Sequence, residues 1–300
     1  TQMVLDLRDN PGGYLETAEL IADTFLAKDK SIVMVESNQG NQTTTYSTAN
    51  GAFEEGQVYV LINGESASAS EVVAGALQDN DRVWILRQRS FGKGLVQQQM
   101  PLGTQEAVRL TTARYYTPTG RSIQRPFDQG KQAYYEEINQ RYTTGELADI
   151  SKIPQNDSLA FTTPKGRKVY GGGGIVPDVY LPNNATPEDE WSDYLLRSNL
   201  INHFVFRELD QRRKEFSSID RETFIEQPLP DKEQWLAALE KYLAEQSVPL
   251  SLENDALAIV AIHSYLGLQL FDEATQLKIL HKEDRFVQAA LEELAKKPLD

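Results

Sequence analysis

Cysteine is absent from this sequence, which excludes disulfides, thiol nucleophiles and cysteine-ligated zinc, and fits an oxidising or a reducing compartment equally well. Histidine is nearly as scarce. His203, His263 and His281 are the only three, all in the last third of the chain, and none has H-E-x-x-H or another ligand spacing. No metal or cofactor is expected, and a Ser-His-Asp triad has no imidazole to call on in the first 200 residues. Basic residues are outnumbered, 30 Lys and Arg against 44 Asp and Glu, for a net charge of −14. The imbalance is −4 over residues 1–180 and −10 over 181–300. An acidic chain of this kind repels phosphate backbones and anionic membranes, and no basic run interleaved with aromatics offsets it; nucleic acid is not an expected partner. Long apolar runs are missing too. The longest uncharged stretch, Ala256 to Phe271, has 16 residues including His263, Ser264 and Gln269, short of the roughly 20 that span a bilayer, and reads as a buried helix.

What is present is enough for a sizeable core: 300 residues, 40% hydrophobic, room for one large or two medium domains. The chain starts at Thr1-Gln-Met with no charged or apolar leader and enters a strand pattern at Met3–Leu7, so the expectation is a fragment whose upstream part was removed. Up to residue 185 strand and helix patterns alternate. Asp9-Asn-Pro-Gly-Gly13 is a turn by composition, and Tyr14–Leu26 places Leu15, Leu20, Ile21, Phe25 and Leu26 at roughly helical spacing. Strand patterns follow at Ser31–Glu36, Thr43–Ser47, Gln57–Ile62, Arg82–Leu86, Gly94–Met100 and Ala107–Tyr116, then a polar, Tyr-rich helical insertion at Lys131–Leu147. A hairpin is expected from Lys168–Tyr170 through Gly171–Gly174 to Ile175–Leu181. This alternation predicts an α/β layered domain over residues 1–185. Residues 186–300 change character: 188–217, 231–246, 253–271 and 283–296 carry helical spacing, predicting an all-helical extension whose Trp191, Phe204 and Phe206 serve its core.

The chemistry concentrates where the apolar run Val58–Ile62 meets the helical run Glu71–Leu77. Between them lies Gly64-Glu-Ser-Ala-Ser-Ala-Ser-Glu71. A serine at a helix start can act as a nucleophile, because free backbone N–H groups and the positive helix end stabilise an oxyanion beside it. It can equally be a cap, since Ser68 and Glu71 fit the S-x-x-E capping box. The pattern G-x-S-x-G fails at Ser68. With histidine out of reach, the base able to activate a serine is a buried, neutral lysine, and Lys93 stands between Gly92 and Gly94 in Ser90-Phe-Gly-Lys-Gly-Leu-Val-Gln97. Strand periodicity would put Lys93, Leu95 and Gln97 on one face, with Gln97 holding the amine; the alternative is a surface lysine in a glycine turn. A phosphate-binding loop would need glycine at Arg87 and a hydroxyl at Gly94. Ser90-Phe-Gly-Lys93 matches S-x-x-K only where two glycines oppose the helix that motif requires.

Five segments together resemble the carboxyl-terminal processing, or tail-specific, serine proteases. They are Leu5–Gly13, Gly64–Glu71, Ser90–Gln97, Tyr115-Tyr-Thr-Pro-Thr-Gly-Arg-Ser-Ile-Gln124 and Gly171-Gly-Gly-Gly-Ile-Val-Pro-Asp178. The resemblance covers residues 3 to about 181. It implies a Clp-protease/crotonase-like α/β core with a Ser-Lys dyad: Ser68 as nucleophile and Lys93, 25 residues later, as general base, with Gln97 orienting the lysine. The oxyanion hole would combine the N–H of Ala69 with that of Gly12 or Gly13. Asp79, an aspartate sometimes grouped with the dyad, lies too far along an unbroken helix to touch Ser68 and is given a structural role. Where the family usually has glycine this sequence has Arg87. The implied reaction is acyl transfer to Ser68 on unfolded or C-terminal tail segments of proteins, with an upstream PDZ domain, absent here, capturing the tail. The implied location is the periplasm or cell envelope. A homo-oligomer or a partner protein engaged by the helical extension completes the expected partners. The rival readings are a catalytically silent peptide-binding scaffold and an acyl-thioester enzyme of crotonase type; Ser68 and Lys93 together count against both.

Overall fold

The computed structural model describes residues 2–104, 106–182, 198–248 and 255–296. The chain divides into two compact units, Thr1–Asn183 with Ala289–Asp300, and Asn184–Gln288. The first boundary falls close to the compositional shift at 185, whereas the final segment groups with the first unit rather than with the helical extension. Gln2, on the first strand, donates through Nε2 to the Leu294 carbonyl at 2.8 Å.

The first unit is mixed α/β. β1 (Gln2–Asp6), β4 (Gln57–Ile62), β5 (Trp84–Arg87) and β10 (Val179–Tyr180) form a parallel sheet in the order β1-β4-β5-β10. Central β4 buries five of its six residues, as expected of a parallel strand covered on both faces, which is why Val58–Ile62 reads as a continuous apolar run. A second, antiparallel sheet has the order β3-β2-β7-β6, from β2 (Ser31–Ser37), β3 (Gln42–Tyr46), β6 (Leu95–Pro101) and β7 (Ala107–Tyr116). Helices α1 (Leu15–Phe25) and α2 (Ala69–Asp79) cross over between strands of the parallel sheet. One cluster including Phe25, Ile32, Val60, Ile62, Val73, Leu77, Ile85 and Tyr115 joins both sheets and both helices in a common core.

Helix α1 forms where its spacing predicts; it buries Ala18, Ala22 and Phe25, with Leu26 buried just beyond it, while Leu20 is 70% and Ile21 38% exposed. One expectation for this unit is corrected. The expected hairpin around Gly171–Gly174 does not form. Its first arm, β9 (Lys168–Tyr170), pairs antiparallel with β8 (Ala160–Thr162), and the residues beyond the glycines supply β10, which pairs parallel with β5. The glycines are there for close approach: a Cβ on Gly174, at φ +89°, would lie 2.6 Å from the Ser90 carbonyl oxygen. The insertion helix is α3 (Gly130–Thr143).

The second unit is helical: α4 (Leu200–Arg212), α5 (Arg221–Glu226), α6 (Lys232–Glu245), α7 (Asp255–Leu270) and α8 (Glu273–Glu283), with α9 (Arg285–Ala295) running from this unit into the segment that clusters with the first. Helices α5 and α8 lie outside the stretches of helical spacing and are announced mainly by their caps. Asp220 and Asp272 each accept the N–H of the residue three positions on. The core is aromatic, with Phe204 packed against Trp235 and Tyr242, and Phe216 against Phe224. Phe206 is 55% exposed, not core, and Trp191 lies outside the described residues. His263 is buried with Nε2 on the Phe224 carbonyl at 2.9 Å, and burial holds its imidazole below the ordinary pKa.

Candidate active site

The three alternating serines have different fates. Ser66 is fully buried; its hydroxyl donates to the Leu7 carbonyl at 2.7 Å and accepts the Asn63 N–H at 2.9 Å, tying the end of β4 to the end of β1. Ser70 donates to the Asn10 carbonyl at 3.0 Å. Ser66 thus staples the two strand ends and Ser70 the turn at residues 9–13. Ser68 is half-buried and its hydroxyl makes no side-chain cap hydrogen bond. Its backbone lies at φ 56°, ψ −116°, the first central position of a type II′ turn, normally held by glycine. A strained serine between strand and helix is the device that lifts a nucleophile clear of its surroundings in elbow-type hydrolases.

Ser68 and Glu71 stand in capping-box arrangement. The Glu71 carboxylate takes the Ser68 N–H at 2.9 Å, and the Glu71 N–H bonds the Ser68 carbonyl, also at 2.9 Å. Glu71 does more than cap. Fully buried, its Oε1 accepts from the Ser90 hydroxyl at 2.5 Å and the Gly92 N–H at 2.6 Å, and its Oε2 accepts the Lys93 N–H at 2.9 Å. One oxygen thus binds the amides of both Ser68 and Lys93. Burial pushes the Glu71 carboxyl above its ordinary pKa, and these four donors pull against that rise. Spacing could reveal only the local half of this role; the contacts to residues 90–93 are non-local.

The lysine loop is held from several sides. Ser90 accepts the Ile175 N–H on its hydroxyl at 2.7 Å, Gln124 accepts the Gly94 N–H at 2.9 Å, and the Arg125 N–H donates to the Gly92 carbonyl at 3.0 Å. The insertion joins in: Arg141 of α3 donates to the Ser90 carbonyl at 2.8 Å and the Phe91 carbonyl at 3.2 Å. Lys93 itself is half-buried and precedes β6, which starts at Leu95. The expected strand face shared by Lys93 and Gln97 is therefore not formed; Gln97 lies exposed in β6, opposite Thr111. No hydrogen bond joins the Ser68 hydroxyl to the Lys93 amine or Gln97 to Lys93 among the described residues; the two backbones are joined through Glu71 instead.

The turn at residues 9–13 closes the other side. A Cβ on Gly12, at φ +94°, would sit 2.5 Å from the Ala67 carbonyl oxygen and 2.6 Å from the Ala69 nitrogen, so only glycine allows this approach. The Gly12 N–H is used by Asn10 Oδ1 at 2.9 Å. Gly13 is exposed and its N–H is not engaged in this way. Ala69 opens α2, where the first N–H groups lack intrahelical acceptors. Asp79, at the far end of α2, does not approach Ser68. It is fully buried against Arg121 at 2.7 Å, and its other oxygen accepts from the Thr117 hydroxyl and from the Thr119 N–H at 3.1 Å, pinning the segment that follows β7.

The site is thus a positive-φ serine at the junction of a strand and a helix in a mixed α/β unit. Residues 1–130 match the model of peptidase family S41. A "Carboxy-terminal-processing protease" of Bartonella bacilliformis is 52% identical over 122 residues, 40% of this chain and 28% of that protein. "Carboxy-terminal processing protease CtpB" of Bacillus subtilis is 37% identical over 121 residues, 40% of this chain and 25% of that protein. A solved structure, "Photosystem II D1 C-terminal processing protease", matches with 28% identity over 62% of this chain and 36% of that one, at a TM-score of 0.42. The chain spans about a quarter of the length of the curated relatives it matches. No helix among the described residues is long and apolar enough to cross a membrane.

Proposed function

We propose that this chain carries the catalytic core of a serine endopeptidase that cleaves proteins near their C-terminal tails through a Ser68–Lys93 dyad. The observation that carries the reading is the contrast among the serines: Ser66 and Ser70 are tied to backbone carbonyls, while Ser68 is strained and left without a side-chain cap bond beside a helix start. In the reaction Lys93, as the free amine, takes the hydroxyl proton while Ser68 Oγ bonds to the scissile carbonyl carbon. The oxyanion is met by the N–H of Ala69 and the N–H of Gly13, the glycine whose amide is not held by Asn10. Collapse breaks the C–N bond, the Lys93 ammonium returns its proton to the leaving amine, and water, deprotonated by Lys93, hydrolyses the ester and frees Ser68. Catalytic hydrogen bonds are often long before substrate binds, so the Ser68–Lys93 bond and the Gln97 contact that orients the amine are assigned to the substrate-bound state.

The layering of the parallel sheet against α1 and α2 is assigned to the Clp-protease/crotonase type. Substrates are unfolded or C-terminal segments, laid down as an added strand. Residues 186–300 are assigned to self-association or to a partner protein, and the bacterial relatives support a periplasmic or envelope location. The test is cleavage of unfolded casein by wild type, Ser68→Ala and Lys93→Ala, each checked for folding by circular dichroism. The expected result is cleavage by wild type and a loss of at least a thousandfold in each variant. Either variant cutting at the wild-type rate would end the assignment.

A further inference from the structure

Glu71 is not the only group that touches both members of the dyad. Tyr115, fully buried on β7, donates its hydroxyl to the Lys93 carbonyl at 2.7 Å and, at 3.1 Å, to the Ser68 carbonyl. Its backbone N–H donates to the Gly94 carbonyl at 3.0 Å. The result is a cross-brace. The amides of Ser68 and Lys93 meet on one carboxylate oxygen of Glu71, and their carbonyls meet on one phenol hydrogen. The two braces come from different elements, α2 and β7, so neither duplicates the other.

We propose that Tyr115 is a positioning residue for the dyad, its hydroxyl setting the spacing between the Ser68 and Lys93 backbones so that the two side chains close on each other when substrate binds. The inference rests on the dyad reading given above. Its physical basis is that the nucleophile and base sit on separate loops, one after β4 and one before β6, whose relative position no covalent link fixes. A displacement of about 1 Å in such a pair can cost on the order of a hundredfold in rate. A single hydroxyl shared between both loops resists that displacement more directly than any contact to one loop alone. Burial, reinforced by the nearby Glu71, keeps the phenol far above its ordinary pKa, so it remains a donor across the working range. The side chain packs in the main core, and its ring does not reach the solvent side where a substrate would lie; it acts through Ser68 and Lys93, not on substrate.

The test is the rate of covalent labelling by a fluorophosphonate, which reports Ser68 activation without a bound polypeptide, measured on the full chain for wild type, Tyr115→Phe, Tyr116→Phe, Ser68→Ala and Lys93→Ala. Rates are normalised to the folded fraction from near-UV circular dichroism, and kcat and KM on unfolded casein are measured alongside. The expected outcome is a tenfold or greater fall in labelling rate and kcat for Tyr115→Phe with KM unchanged, and no change for Tyr116→Phe. A purely structural role would lower Tm while leaving labelling per folded molecule within twofold of wild type, and that result overturns the proposal. If Ser68→Ala and Lys93→Ala lose labelling while Tyr115→Phe keeps it, the dyad stands and Tyr115 alone fails. If Ser68→Ala labels like wild type, the dyad reading fails and this inference falls with it.

Discussion

Arg87, where the resemblance leads to an expectation of glycine, carries its cost in the backbone. It sits at φ +94°, closing β5 between Ile62 of β4 and Tyr180 of β10, in a region where a bulky side chain is a true outlier. Such strain is worth about 1–3 kcal/mol, against which glycine loses about 0.4–1 kcal/mol of chain entropy. Arg87→Gly relieves that strain and Arg87→Ala keeps it, while both give up the contacts of the arginine side chain, so the glycine variant is expected to be about 1 kcal/mol more stable than the alanine one. Urea denaturation of the three proteins measures this; an alanine variant as stable as the glycine one would contradict it. The same scale shows what could be read from sequence. Ser68, Lys93 and the Gly12 turn stand out as candidates because glycine and hydroxyl patterns are local. Glu71 was visible only as a cap and Tyr115 only as a strand residue, because their bridging partners lie about 20 residues or more away along the chain.

At the scale of elements, strands were legible because β4 and β7 carry uninterrupted apolar or alternating patterns, and the α2 start was legible from its capping box. The failure came where pairing is non-local. Nothing in Ile175–Leu181 signals that it pairs with β5 rather than folding back on β9. The C-terminal end of α2 shows how one such non-local contact stabilises the fold. Asp79 and Arg121 form an ion pair with both side chains fully buried, and removing one partner strands the other charge in the interior. Asp79→Ala is expected to cost about 3–5 kcal/mol of stability while the labelling rate per folded molecule stays near that of wild type. Thermal denaturation together with normalised labelling separates the two effects. A variant of unaltered stability that no longer labels would instead give Asp79 a catalytic role.

At the scale of the molecule, the lysine loop is where distant parts of the first unit meet. Segments from the serine helix, the sequence after β7, the glycine run before β10 and the insertion helix all bond to residues 90–94. The family match ends at residue 130, at the start of α3, so the Arg141 clasp on Ser90 and Phe91 is contributed by a part of the chain beyond that match. The helical unit has its own aromatic core and its role is a proposal of association. The two-unit division could be read from composition, since charge and helical spacing change together near residue 185, whereas the return of Ala289–Asp300 to the first unit could not, because it depends on hydrogen bonds such as that from Gln2. The central claim concerns one hydroxyl among three neighbours. Mass-spectrometric mapping of the fluorophosphonate adduct on the peptide spanning Ser66, Ser68 and Ser70 tests it most directly: the account predicts a single adduct on Ser68, and an adduct on Ser66, on Ser70 or on a serine elsewhere in the chain would contradict it.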